Sequence, residues 1–104
     1  MSKKISKENI DEAQIAKWKD AFSGVYKYAS SDGKVAYFRT PERSEIEAAN
    51  SVAATKPLES NAILAKATFL GGDEEIITVD KYFFGLSGHL KNIIKRVEGE
   101  LTEL

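Results

Sequence analysis

The segment from Val25 to Arg39 constrains the fold most. Val25-Tyr-Lys-Tyr-Ala29 and Val35-Ala-Tyr-Phe-Arg39 are two short runs rich in β-branched and aromatic residues, separated by Ser30-Ser-Asp-Gly33. Such runs suit a pleated, half-buried surface, and Asp-Gly supplies the left-handed backbone that a tight hairpin needs. The spacing predicts a β-hairpin, with Tyr26, Tyr28, Tyr37 and Phe38 available for cross-strand pairs. On both sides of it the apolar period changes from two to three or four. A chain that alternates these periods in separate blocks falls in the α+β class.

Upstream, Ile15, Trp18 and Phe22 share one helical face. They predict a helix over about 10–21, capped by Asn9 with Glu12 completing a capping box, and ended near Gly24. Downstream, Thr40-Pro41 reads as the start of a second helix, because proline at the first helical position loses no hydrogen bond. Ile46, Ala49 and Ala53 lie on its inner face, and Lys56-Pro57 breaks it. A third helix is expected from Pro57 to about Leu70, with a stripe of Leu58, Ala62, Ala65 and Phe69 and a stop at Gly71-Gly72. Ile76-Ile77-Thr78-Val79 reads either as a third strand added to the hairpin or as an extended connector. Asp80 then caps a final helix from about 81 to 98 or beyond, in which Phe83, Leu86, Leu90, Ile93, Ile94, Val97 and Leu101 recur at helical steps, despite Gly85 and Gly88. The expected architecture is α+β: a β-hairpin with or without a third short strand, packed on three or four helices. The expected core holds Trp18, Phe22, Val25, Phe38, Ile46, Leu64, Phe69, Phe83, Leu90 and Ile94.

At 104 residues this is the size of one domain, spanning 1–104 with residues 1–8 and 99–104 loose. The 15 basic and 16 acidic residues nearly cancel, and the isoelectric point near 5.9 lacks the positive field of a general nucleic-acid binder. No cysteine is present, so disulfides, thiolate metal sites and thiol catalysis are excluded, which fits a reducing cytoplasm. The first residues lack the apolar stretch of a secretory signal, and no run approaches the roughly 20 apolar residues of a membrane span.

Chemistry-bearing clusters are few. His89 is the one histidine, and the run Ser87-Gly88-His89 does not make a triad, because adjacency along the chain does not create triad geometry. Asp73, Glu74 and Glu75 could hold a hard cation with His89 nearby, giving a small metal-dependent enzyme; the EF-hand spacing is missing, and a solvated loop explains them as well. Gly71-Gly72 is followed by no phosphate-loop lysine. Lys34, Arg39, Arg43 and Lys56 could contact an acidic partner or pair with Glu42, Glu45 and Glu47. No catalytic residue, metal ligand or cofactor site is assigned.

Tyr82, Phe83 and Phe84 are consecutive, so they point in different directions around a helix. Either the core wraps that helix on two sides, or some of these rings form an exposed patch that holds another protein. The candidate protein-binding residues are therefore Trp18, Tyr82, Phe83, Phe84 and Leu90.

The order of elements, with the Tyr37-Phe-Arg-Thr-Pro41 turn and the Leu70-Gly-Gly-Asp-Glu-Glu75 turn as anchors over about 15–97, resembles the small tail-assembly-chaperone-like proteins of bacteriophages and prophages. The resemblance implies a non-enzymatic protein of the bacterial cytoplasm. It would self-associate and shield the apolar helices of a tape-measure client, with no nucleic acid or membrane as partner. A structural or adaptor subunit of the same tail is the alternative within that setting.

Overall fold

The computed structural model describes residues 9–94 and 98–104. The chain runs α1 (Glu12–Ala21), β1 (Val25–Ala29), β2 (Val35–Arg39), α2 (Arg43–Ala53), α3 (Pro57–Thr68), β3 (Phe69–Gly72), α4 (Glu75–Thr78), α5 (Asp80–Ser87) and a 3-10 turn (Leu90–Ile93). The class is α+β, as expected. Three antiparallel strands lie in the order β1-β2-β3, with helices packed against them.

The hairpin forms where the sequence places it, with Val25 opposite Arg39 and Ala29 opposite Val35. Gly33 takes φ +100, the conformation the Asp-Gly signal predicts. Inside the loop, Ser30 Oγ donates to Asp32 at 2.6 Å and accepts from the Lys34 N–H at 2.9 Å. Ala36 and Phe38 project from one face of β2 into the core, beside Tyr26 and Tyr28 of β1. Tyr37 projects from the other face, where Trp18 of α1 covers it at 5.6 Å between ring centroids.

The third strand exists, but it is Phe69–Gly72 rather than Ile76–Val79. Helix α3 stops at Thr68, whose hydroxyl donates back to the Leu64 carbonyl at 2.9 Å. Phe69 then turns extended and pairs with Phe38, while Gly71 and Gly72 pair with Tyr37 and Ala36; Leu70 is the unpaired residue of the bulge. Gly71-Gly72 is therefore no helix cap. The two glycines let β3 press against β2: a Cβ on Gly72 would stand 2.4 Å from the Val35 carbonyl oxygen. Asp73 locks the junction, its N–H donating to the Val35 carbonyl at 2.7 Å and its carboxylate accepting from the Val35 N–H at 2.9 Å.

Ile76–Thr78 falls in one short turn of helix, α4, despite its β-branched run. Ile76 is fully buried there, and tertiary packing overrides a weak local preference. The expected long last helix is also broken. Helix α5 ends at Gly88, Ser87 Oγ donates to the Phe83 carbonyl at 2.9 Å, and Leu90–Ile93 continues as a 3-10 turn. Val97 and residues 1–8 lie outside the described residues.

Helix starts differ in detail. The cap of α1 is Asp11, whose carboxylate accepts from the Gln14 N–H at 2.9 Å; Asn9 precedes it. Helix α2 starts two residues later than Thr40-Pro41 suggests. Glu42 is its cap, its N–H donating to Glu45 Oε1 at 2.8 Å, while the Thr40 N–H donates to Gly24 across the hairpin. Asp80 is the first residue of α5 rather than its cap, and Val79 precedes it.

The core gathers Ala36, Phe38, Ala49, Leu64, Ala65, Phe69, Ile76, Leu86, Leu90 and Ile93. Of the expected core, Phe22, Val25, Ile46 and Ile94 are only partly buried. Leu58 of the predicted α3 stripe is 51% exposed, because α3 turns Ser60, Leu64 and Thr68 inward instead. Each large apolar side chain enclosed this way contributes about 1.5–3 kcal/mol before entropy is counted.

Candidate functional site

Helix α5 and the hairpin tip together make the most featured surface. Phe83 and Leu86 turn inward from α5 and are buried, whereas Phe84 turns outward and is 56% exposed. The adjacent Phe83 and Phe84 rings are tilted at 53°, their centroids 6.4 Å apart. An aromatic ring left half in water on a short helix has no role in the core, so Phe84 is the exposed apolar anchor of this face. Val79, at the N-terminus of α5, adds a second exposed apolar side chain.

Tyr82 is tied down. Its hydroxyl donates to Asp32 Oδ2 at 2.6 Å, a bond between residues 50 positions apart, and the Lys81 ammonium lies 5.1 Å from its ring centroid. The hydroxyls of Ser30 and Tyr82 hold the Asp32 carboxyl below its ordinary value, and the same bond pushes the Tyr82 phenol up. Both shifts move away from neutrality. A proton-transfer pair needs the opposite, with values drawn toward the working pH. The Asp32–Tyr82 contact therefore acts as a latch joining α5 to the hairpin. Lys34 and Glu75, 3.0 Å apart, form a second latch between hairpin and α4, and Glu75 raises the Lys34 ammonium's value.

Two hollows flank this latch. A polar cleft of about 450 Å³ opens between Ser30–Asp32 and the α5 residues Lys81, Tyr82, Gly85 and His89. Next to it, sharing Tyr28 and His89, lies an apolar groove of about 180 Å³ between the sheet face and the end of α5. The Tyr28 and His89 rings, 5.7 Å apart, divide the two. Gly85 lets α5 approach β1 this closely, since a Cβ there would lie 2.8 Å from the Tyr28 hydroxyl. A third hollow, about 240 Å³ and mostly apolar, lies on the other side of the core between Lys66, Phe69, Glu74, Ile77 and Thr78.

Of the five residues singled out from the sequence, the structure brings Tyr82, Phe83 and Phe84 together on α5 and sets Leu90 in the turn after it. Phe83 and Leu90 are buried, Tyr82 is half-buried, and Phe84 alone is well exposed. Trp18 lies apart, buried against Tyr37 on the far face of the sheet. His89 does not meet the Asp73–Glu75 turn: Asp73 holds Val35, Glu75 holds Lys34, and His89 faces Tyr28. Among the described residues no three histidine, aspartate or glutamate side chains gather as a metal ion would require.

Arg39 lies partly buried, inside the fold. Its guanidinium grips Glu45 with both nitrogens at 2.9 and 2.6 Å, donates to the Ala67 carbonyl at 2.8 Å and lies over the Phe22 ring. It thus joins α1, β2, α2 and α3 rather than offering a contact for an acidic partner. Sequence reasoning missed the Asp32–Tyr82 latch, because a bond between residues 50 positions apart leaves no local pattern.

Comparison with protein-family models, with curated proteins and with solved structures yields no match. No helix among the described residues is long and apolar enough to cross a membrane.

Proposed function

We propose that this chain is a non-enzymatic protein-binding domain that holds an apolar helix of a client, in the manner of a phage tail-assembly chaperone. The observation that carries the reading is Phe84: a large ring, exposed on a helix whose other aromatics are already satisfied by the core or by the latch. A large aromatic ring left exposed on a helix is a common form of interface anchor. The tail-assembly setting comes from the resemblance carried by the Tyr37–Pro41 and Leu70–Glu75 segments and the order of elements around them. On that reading the client is a tape-measure-type protein, met in the cytoplasm of a bacterial host, and the surface must release it when tube subunits arrive. Reversible binding suits an interface built on one exposed ring rather than a broad apolar face.

The test is titration calorimetry of the intact chain with amphipathic helical peptides from the apolar segments of a tape-measure protein. Binding is expected, and Phe84→Ser should weaken it by about tenfold or more, as for an anchor worth over 1.4 kcal/mol. Its urea midpoint should change little, because more than half of the residue stands in water. No binding by the wild-type chain, or equal binding by Phe84→Ser, would refute the proposal. Finding the chain in purified particles would point instead to an adaptor subunit.

A further inference from the structure

The polar cleft between the hairpin tip and α5 is lined by more hydrogen-bonding groups than the fold itself uses. The Asp32–Tyr82 bond ties its two sides together. Each Asp32 oxygen accepts one internal bond, from Ser30 or from Tyr82, and a carboxylate oxygen has room for a second. The Tyr28 and Ser31 hydroxyls and the His89 ring nitrogens make no hydrogen bond among the described residues. Lys81 lies over the Tyr82 ring and makes no ion pair among them. Gly85 adds no side chain to the hollow.

The charges present narrow the ligand. Asp32 and Lys81 line the same cleft, and the Lys81 charge acts on the Asp32 carboxyl. An entering phosphate or carboxylate would meet the Asp32 carboxylate, and an entering ammonium would meet Lys81. A neutral ligand meets neither penalty. To use the free groups it must donate to Asp32 and accept from Lys81, Ser31 and Tyr28, and neighbouring hydroxyls on one carbon ring do both. The Tyr28 and His89 rings, 5.7 Å between centroids, add apolar surface suited to the C–H face of such a ring. The volume of about 450 Å³ falls within the range of about 300–1,000 Å³ usual for small-molecule sites.

We infer that this cleft binds an uncharged sugar ring. Asp32 accepts from its hydroxyls, Lys81 and Ser31 donate to them, and the Tyr28–His89 pair lies against its C–H face. Phe84 does not line the cleft, which is therefore separate from the surface offered to a helical client.

His89 is the one histidine of the chain, so its ring C–H signals are identified in proton NMR without labelling. The intact chain is titrated at fixed pH with methyl glucoside, methyl galactoside, methyl mannoside and N-acetylglucosamine, and separately with phosphate and with methylammonium. At least one sugar should shift the His89 signals saturably, with a dissociation constant on the order of 1 mM, as suits a ligand of about a dozen heavy atoms. Lys81→Met removes an exposed donor of the cleft and should weaken that binding about tenfold. Lys19→Met, exposed on α1, whose Trp18 packs on the opposite face of the sheet, should leave it unchanged. No saturable shift with any of the four sugars would overturn the inference, as would equal sugar binding by Lys81→Met and the wild-type chain. Saturation by phosphate or methylammonium in place of sugar would also overturn it, because the cleft would then be an ion site.

Discussion

Gly72→Ala is the sharpest probe of the sheet, because two separate costs fall on one methyl group. Gly72 sits at φ +115, and an added Cβ would lie 2.4 Å from the Val35 carbonyl oxygen, 2.8 Å from the Ala36 Cα and 3.1 Å from the Val35 carbonyl carbon. All three are backbone atoms, and β2 cannot simply retreat. Val35 is clamped to Asp73 by bonds of 2.7 and 2.9 Å, which a shift would stretch or break. Backbone strain of about 1–3 kcal/mol, together with two weakened hydrogen bonds at about 0.5–1.5 kcal/mol each, gives a loss of about 2–6 kcal/mol. Gly33→Ala is the matched control. Its φ is +100, but nothing lies within 4 Å of the new Cβ, so it carries only the conformational part, about 1–2 kcal/mol. Urea unfolding followed by circular dichroism separates the two. With a slope of about 1–3 kcal/mol per molar, Gly72→Ala should lower the midpoint by roughly 1 M more than Gly33→Ala, or unfold the chain before urea is added. Equal midpoints for the two variants would refute the close pairing of β3 with β2.

Three further substitutions test other joints of the fold. Phe69→Ala removes a ring buried at 5.8 Å from Phe38 and should cost about 3–5 kcal/mol in chemical denaturation, with a loss under about 1 kcal/mol contradicting its enclosure. Gly85→Ala should be nearly neutral alone, because the helix gain of about 1 kcal/mol is offset by displacing the Tyr28 hydroxyl. In a Tyr28→Phe background the same change should stabilise, and a full gain without Tyr28→Phe would show that the approach is not tight. Arg39 holds Glu45 below its ordinary value of 4.5, so this pair stabilises the fold above that pH and the contribution is lost as pH falls through the lower folded value. Glu45→Gln should flatten that part of the acid limb in a pH series of thermal melts. Arg39→Lys, which keeps the charge but loses the two-pronged grip, should cost about 1 kcal/mol once solvent screening is allowed for.

The hairpin was legible because its signal is local: two β-type runs and an Asp-Gly turn lie within fifteen residues, and each choice agrees with the next. The α2–α3 break at Lys56-Pro57 was legible for the same reason. The strand that completes the sheet was not, because Phe69–Gly72 continues a helical stripe, and Gly-Gly is as good a helix stop as a close-contact strand. Only the neighbouring backbone of β2 decides between them. The Ile76–Val79 run failed in the opposite direction, where burial of Ile76 outweighs β preference. For the surface, three consecutive aromatics showed that not all could enter one core. They did not show which would stay out. That choice depends on Gly85 and the Asp32 latch, which fix how α5 is rotated on the sheet.

The break after α5 links these local facts to the surface. An unbroken helix from Asp80 through residue 94 would keep Leu86, Leu90 and Ile93 on one straight stripe, laid flat along the sheet. Gly88 and the Ser87 back-bond end α5 early, and Leu90–Ile93 tightens into a 3-10 turn with its own direction. Where a helix and a turn meet at an angle over a sheet, their side chains cannot close the space between them. The groove floored by Tyr26, Phe38 and Leu86 lies at that junction. The glycine that made the long-helix reading costly thus opens this apolar hollow beside the sheet. Gly88→Ala is a direct check, since a Cβ there meets only the Gly85 carbonyl oxygen at 3.9 Å. Helix propensity alone should then add about 1 kcal/mol or less of stability. Urea unfolding followed by circular dichroism checks this, and a lower midpoint for Gly88→Ala would mean that packing in the Leu90–Ile93 turn, rather than the glycine, sets the break.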